Sequence, residues 1–221
     1  MLYVVATPIG NLGDITLRAI ETLKACNFVI AENPNYSKRL LEHIGAWPKE
    51  MVQFAEHNEQ QVVKDLTRRL SKADGCLITD AGTPGISDPG FRLVRECVKE
   101  NVAVVPIPGA NAAIASLSAS GLPTDRFLFL GFLQKTAIKS VEALEAAQQA
   151  GATAIFYESP ERILKTLNYI ANAFPTAQVV VARELTKVHE EFIRGTPMQV
   201  ADQLKEKATI KGELTVLVSF K

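Results

Sequence analysis

Between Thr79 and Gly90 the chain reads Thr-Asp-Ala-Gly-Thr-Pro-Gly-Ile-Ser-Asp-Pro-Gly, a run that joins two carboxylates to three glycines and two prolines. Gly82, Gly85 and Gly90 let backbone approach a ligand closely or take positive φ, while Pro84 and Pro89 fix φ near the helical value. Such a loop offers main-chain groups and carboxylate acceptors to something small. Its spacing matches neither the dinucleotide G-x-G-x-x-G loop nor a phosphate-binding loop closed by lysine. Asp80 would either accept hydrogen bonds from a ligand or cap the loop's own amides. Asp88 followed by Pro89 reads as the N-cap and first residue of a helix. Two further loops share this character, Thr7-Pro-Ile-Gly-Asn-Leu-Gly-Asp14 and Pro106-Ile-Pro-Gly-Ala-Asn-Ala-Ala113. The three histidines have no metal-ligand spacing, so no metal is expected. The three cysteines form no C-x-x-C pair and read as reduced core residues of a cytoplasmic protein.

Each of these loops follows an apolar run that reads as a strand: Leu2–Ala6, Gly75–Thr79 and Val102–Val105. In an open parallel sheet, loops that follow strands lie along one edge, where ligands bind. Phe28–Ala31 reads as a further strand, and helical spacing recurs at Leu17, Ile20, Leu23, at Val62, Val63, Leu66, Leu70, and at Val94, Cys97, Val98. The pattern predicts an α/β fold of two domains, 1–121 with a mostly parallel sheet and 122–221 with a mixed sheet. In the second, strands are expected at 127–132, 152–157, 179–182, 191–194 and 214–220. Helices are expected at 136–149, from Ser159-Pro160 onward, and at 197–207. Formal charge is zero, and neither side of Gly121 carries a basic excess that would by itself mark a nucleic-acid module. The amino terminus enters a strand with no basic leader, and the longest uncharged stretch is broken by Pro106, Pro108 and Gly109, so neither a signal peptide nor a membrane span is expected.

Together, Thr7–Asp14, Thr79–Gly90, Pro106–Gly109, Ser118–Phe127, Phe156-Tyr-Glu-Ser-Pro160 and Ala182-Arg-Glu-Leu-Thr-Lys187 resemble the tetrapyrrole methylase superfamily, and most closely its ribosomal branch. The resemblance covers nearly the whole chain. It implies S-adenosylmethionine as cofactor, folded in a cleft between the two domains, and methylation of a cytidine 2′-hydroxyl in RNA of the small ribosomal subunit. It also implies a homodimer. Carried over by motif, Pro8, Thr79, Asp80, Thr83, Asn111 and Ala112 would line the cofactor from the first domain, and Glu158 and Gly212 from the second.

A ribose hydroxyl is a weak nucleophile, so a general base would help. His57, in Phe54-Ala-Glu-His-Asn-Glu59, is one candidate, although Asn58 could simply cap the next helix with His57 as an exposed neighbour. Glu184 is another, with Arg183 and Lys187 available for phosphate, although these charges could equally form a structural ion pair across the domain junction. Where the ribosomal branch has an acidic-threonine-arginine run after the second strand, this chain keeps Glu32 as a candidate catalytic carboxylate but continues with Asn33-Pro34-Asn35. Lys38 and Arg39 follow a turn later and could replace the missing cation, as Asn58 could contribute to substrate binding. Longer members continue past the last strand, so RNA affinity supplied there is expected to be missing from a chain that stops at Lys221. A small-molecule tetrapyrrole methylase and a non-catalytic relative are the alternatives.

Overall fold

The computed structural model describes residues 1–47 and 49–221. They divide into two compact units, Met1–Asn111 and Ala112–Lys221. The division falls one helix before the expected junction at Gly121. That helix, α5 (Ala112–Ser120), packs Ala113 and Leu117 against Ile155, Val180 and Leu217 of the second unit.

The first unit holds β1 (Leu2–Val5), β2 (Phe28–Ala31), β3 (Met51–Gln53), β4 (Gly75–Ile78) and β5 (Val104–Ile107) in the order β3-β2-β4-β1-β5. Every pair is parallel. Strand residues alternate between two apolar layers, as a period of two requires. On one face Val5, Val29, Ala31, Cys76 and Ile78 meet α1 (Leu17–Ala25) and α2 (Pro34–His43) through Ala19, Leu23, Leu40 and Leu41. On the other, Leu2, Phe28, Ile30 and Leu77 meet α3 (Glu59–Leu70) and α4 (Phe91–Lys99) through Leu66, Leu70, Leu93 and Cys97. Adjacent central strands β1 and β4 therefore send their connections to opposite faces. That is a topological switch point, and it opens a crevice beyond their carboxyl ends.

The second unit holds β6 (Phe127–Phe132), β7 (Thr153–Glu158), β8 (Gln178–Arg183), β9 (Glu191–Gly195) and β10 (Leu214–Ser219) in the order β6-β7-β10-β8-β9. Only β6 and β7 run parallel. One face packs on α6 (Ala137–Gln149), α7 (Ile163–Ala173) and α8 (Pro197–Lys205) through Leu144, Ile163, Leu167, Ile170, Val200 and Leu204; the other carries α5.

Several expected boundaries move. β5 runs through Pro106, because it is the edge strand and only one side of its backbone pairs, with β1; an edge tolerates the missing amide. Leu17 is exposed, so Ala19 and Leu23 form the buried face of α1. Val98 likewise faces solvent, and Leu93 takes its place in the core. The helix expected from Ser159-Pro160 begins at Ile163 with Arg162 at its N-cap, because the Glu158 carboxylate takes the Ser159 amide and holds the next residues in a turn. Among the described residues no helix is long and apolar enough to cross a membrane, and no group of three or more His, Cys, Asp and Glu could hold a metal ion.

Candidate functional site

In the first unit the three loops predicted from sequence are tied to one another. Thr7 and Gly82 exchange two backbone hydrogen bonds, Thr7 N–H to Gly82 O at 2.8 Å and Gly82 N–H to Thr7 O at 3.1 Å. The buried Thr7 hydroxyl donates to Thr79 O at 3.1 Å, and the Thr83 hydroxyl donates to Ala110 O at 3.2 Å. Gly82 sits at φ +79°, which an L side chain rarely adopts. Gly109 serves close approach instead, since a Cβ there would stand 2.9 Å from Ala6 Cβ. Thr7 and Thr83 thus tie the loops through their hydroxyls, Thr79 takes part through its carbonyl while its own hydroxyl donates to Ala81 O at 3.4 Å, and Asn111 closes the unit, half-buried.

A pocket of about 120 Å³ opens at this edge, lined by Thr7, Pro8, Leu12, Tyr36, Arg39 and Asp80 among others. Asp80 Oδ1 is buried there with no hydrogen-bond partner. A buried acceptor left unmade costs about 1–3 kcal/mol, so a donor arriving there would be stabilised by about that amount. Burial, and then the neighbouring Glu32, push the Asp80 carboxyl above the usual range, against the Asn33 amide that lowers it. Glu32, at the end of β2, accepts from the Asp80 amide at 3.3 Å. The structure therefore brings together Pro8, Glu32, Arg39, Thr79, Asp80 and Thr83.

Asp88 is not the helix cap expected of it. Gly85 donates to Pro89 O at 3.1 Å and carries the loop past Pro89, so α4 starts at Phe91 with Gly90 at the N-cap, φ +145°. The capping role falls to Glu59 of α3, which takes the Gly90 amide at 3.2 Å and the Arg92 guanidinium at 3.1 Å. Sequence reading passed over Glu59; the only available signal was a glutamate opening a predicted helix. Freed from the cap, Asp88 has its carboxyl pushed up to about 7, by burial first and then by Glu32 and Asp80, against a hydrogen bond from Thr79.

The other first-unit candidates are arranged differently. His57 is exposed in the turn that follows β3, on the same sheet edge. Asn58 sits at the α3 N-cap position but makes no side-chain capping bond; it closes its own turn, accepting from Ala55 N–H at 2.8 Å and donating to Gln53 O at 3.2 Å. Lys38 pairs with Glu42 at 3.5 Å and lies over the Trp47 ring. The altered Asn33-Pro34-Asn35 run builds a helix start: Asn33 caps α2 and Pro34 is its first residue.

In the second unit the candidates are engaged with their own chain. Glu158, 3% exposed, accepts from Ser159 N–H at 2.9 Å and the Thr166 hydroxyl at 2.6 Å, with Arg162 at 3.4 Å. Glu184 accepts from Lys187 Nζ at 2.8 Å and Glu213 N–H at 3.0 Å. Burial would raise the Glu184 carboxyl, but these bonds and the charges of Lys187 and Arg183 outweigh it and hold it below the usual range. That suits an ion-pair anchor better than a base. Arg183 is taken up by Glu191 and by Lys211 O. Gly212 lies at φ +94°, where a Cβ would fall 2.3 Å from Glu184 Cδ. A Gly212→Ala protein is expected to lose about 1–3 kcal/mol, from strain plus displacement of the Glu184 carboxylate, read as a lower urea midpoint. Ala112 opens α5 and is half-buried.

The chain matches the family model described as tetrapyrrole (corrin/porphyrin) methylases over residues 1–201. Among similar relatives, a ribosomal RNA small subunit methyltransferase I of Halalkalibacterium halodurans is 47% identical over 98% of this chain and 75% of its own length. Its namesake from a Hydrogenobaculum species is 43% identical over 99% of this chain and 95% of its own length, and that of Escherichia coli O157:H7 is 43% identical over 98% and 77%. Among solved structures, a diphthine synthase superposes with a TM-score of 0.75 at 15% identity, covering 99% of this chain and 89% of that one. The cobalamin biosynthetic enzyme cobalt precorrin-4 methyltransferase gives 0.68 at 18%, covering 99% and 94%. At such low identity these two speak for the fold alone.

Proposed function

The chain belongs to the tetrapyrrole (corrin/porphyrin) methylase family, and we propose that it transfers a methyl group from S-adenosylmethionine to the 2′-hydroxyl of a cytidine in small-subunit ribosomal RNA. The observation that carries the reading is the near-full-length identity to proteins named ribosomal RNA small subunit methyltransferase I. Bound cofactor supplies a sulfonium methyl open to in-line attack. The protein's part is to hold the attacking oxygen in line, which in well-oriented cases is worth about 7–11 kcal/mol, and to receive its proton.

The switch-point edge fits one end of the cofactor. Asp80 Oδ1 is an acceptor awaiting a donor, such as an amino or ribose hydroxyl group. Pro8 and Leu12 offer apolar surface in the same pocket, and Arg39 a cation for a carboxylate or a phosphate. At about 120 Å³ this pocket is smaller than the roughly 300–1,000 Å³ typical of sites that enclose a drug-sized molecule, so it takes part of the ligand. Thr79, Thr83, Asn111 and Ala112 would set the shape of the loops around it. Arg39, on the helix begun by Asn33 and Pro34, stands in for the arginine that the 33–35 segment lacks.

The test is transfer of labelled methyl from S-adenosylmethionine to small ribosomal subunits isolated without the modification. Label on a cytidine ribose is the expected result. Label on a base would overturn the 2′-hydroxyl assignment, and no label together with binding of a tetrapyrrole would move the protein to the small-molecule methylases.

A further inference from the structure

We propose that Asp88 is the proton acceptor for the hydroxyl being methylated, in a groove where the target nucleotide lies against α4. The proposal rests on the RNA methyltransferase reading above. The groove has a volume of about 580 Å³ and is walled by Glu32, Glu56, Asp88, Phe91 and Arg95 among others. It adjoins the switch-point crevice through the loop that carries both Asp80 and Asp88.

Three observations converge on it. First, Asp88 does not cap α4, since Glu59 holds the Gly90 amide and Arg92 in its place. Second, Phe91 in the first turn of α4 is 63% exposed, with the Arg95 guanidinium 5.4 Å from its ring centroid. An exposed aromatic ring beside an arginine is a platform on which an unpaired base stacks and its phosphate is met. Third, burial first, and then Glu32 at the end of β2 and Asp80 from its own loop, hold a proton near Asp88 against a hydrogen bond from Thr79. Glu56 and Glu59 face the same groove from the β3–α3 side and Arg92 and Arg95 from α4, with Arg92 already paired with Glu59. The resulting carboxyl, near 7, lies where a general base works best at neutral pH.

In the step itself the 2′-hydroxyl proton passes to an Asp88 carboxylate oxygen. The ribose oxygen forms the new O–C bond, and the C–S electron pair stays on sulfur as a neutral thioether. The proton leaves to solvent afterwards, restoring the carboxylate.

Two measurements test this. In the protein without cofactor or RNA, carboxyl ¹³C NMR of Asp88, assigned by its loss in Asp88→Asn, is expected to titrate near pH 7; a midpoint near 4 would overturn the proposal. In single-turnover transfer to small subunits, Asp88→Asn is expected to slow the step by about 10²- to 10⁴-fold. RNA affinity should stay within a few-fold and the acidic limb of the pH–rate profile should vanish, with folding confirmed by a thermal melt. A variant that keeps the wild-type rate, or keeps the acidic limb, sinks it. A wild-type protein that transfers no label brings down the RNA reading and this proposal together, whereas an active Asp88→Asn brings down this one alone.

Discussion

A Glu158→Ala protein is expected to lose about 3–5 kcal/mol of stability, read by urea denaturation, because the substitution strands two donors and removes the carboxylate beside a guanidinium. The Ser159 amide and the Thr166 hydroxyl would lose their acceptor, and Arg162 would lose its ion pair while keeping Leu133 O and Gln134 O. Thr166 is itself buried. Glu158→Gln keeps the shape and one carbonyl oxygen but turns a donor toward donors, so a smaller loss of about 1–2 kcal/mol should follow. The pair also decides what Glu158 is for. Cofactor affinity unchanged in the folded Gln protein would assign the carboxylate to holding β7 to α7; a selective loss of affinity would restore the ligand contact inferred from the motif.

Asp80→Ala should do the opposite. Cofactor binding by calorimetry is expected to weaken about 10- to 100-fold, the worth of one charge-assisted hydrogen bond at roughly 1.5–3 kcal/mol. Stability should hold or rise slightly, since a buried carboxyl beside Glu32 is removed. Wild-type affinity in this variant would take Asp80 out of the cofactor site.

Much of this arrangement was legible in the chain because glycine, proline and carboxylates cluster where strands end. Thr7–Asp14, Thr79–Gly90 and the segment after β5 do lie on one sheet edge. What escaped was decided by tertiary context. β3 is three residues long, too short for a period to show. Pro106 read as a stop because sequence does not reveal that its strand lies at the sheet edge. Asp88 read as a cap because Asp-Pro is the local signature of one; a glutamate from another helix took that role, and no spacing rule connects residues 59 and 90. Of the charges Glu184, Arg183 and Lys187, Lys187 meets Glu184, whereas Arg183 turns to Glu191, a partner that no local spacing indicated. Of the two readings left open for them, their hydrogen bonds favour the ion pair, made within the second unit.

The central position of β1 also bears on how the molecule comes to be folded. Leu2 pairs with Gly75 on one side and Val104 on the other, so β1 has neither neighbour until synthesis has passed residue 75, and lacks the second until it has passed residue 104. Both edges of β1 stay unpaired through the first of these intervals, and closing the sheet requires large loops to be ordered before any ladder rewards them. The parallel unit is thereby expected to fold more slowly and to be more open to mispairing. The second unit has local antiparallel contacts such as β8 with β9 and can begin to organise from sequence neighbours.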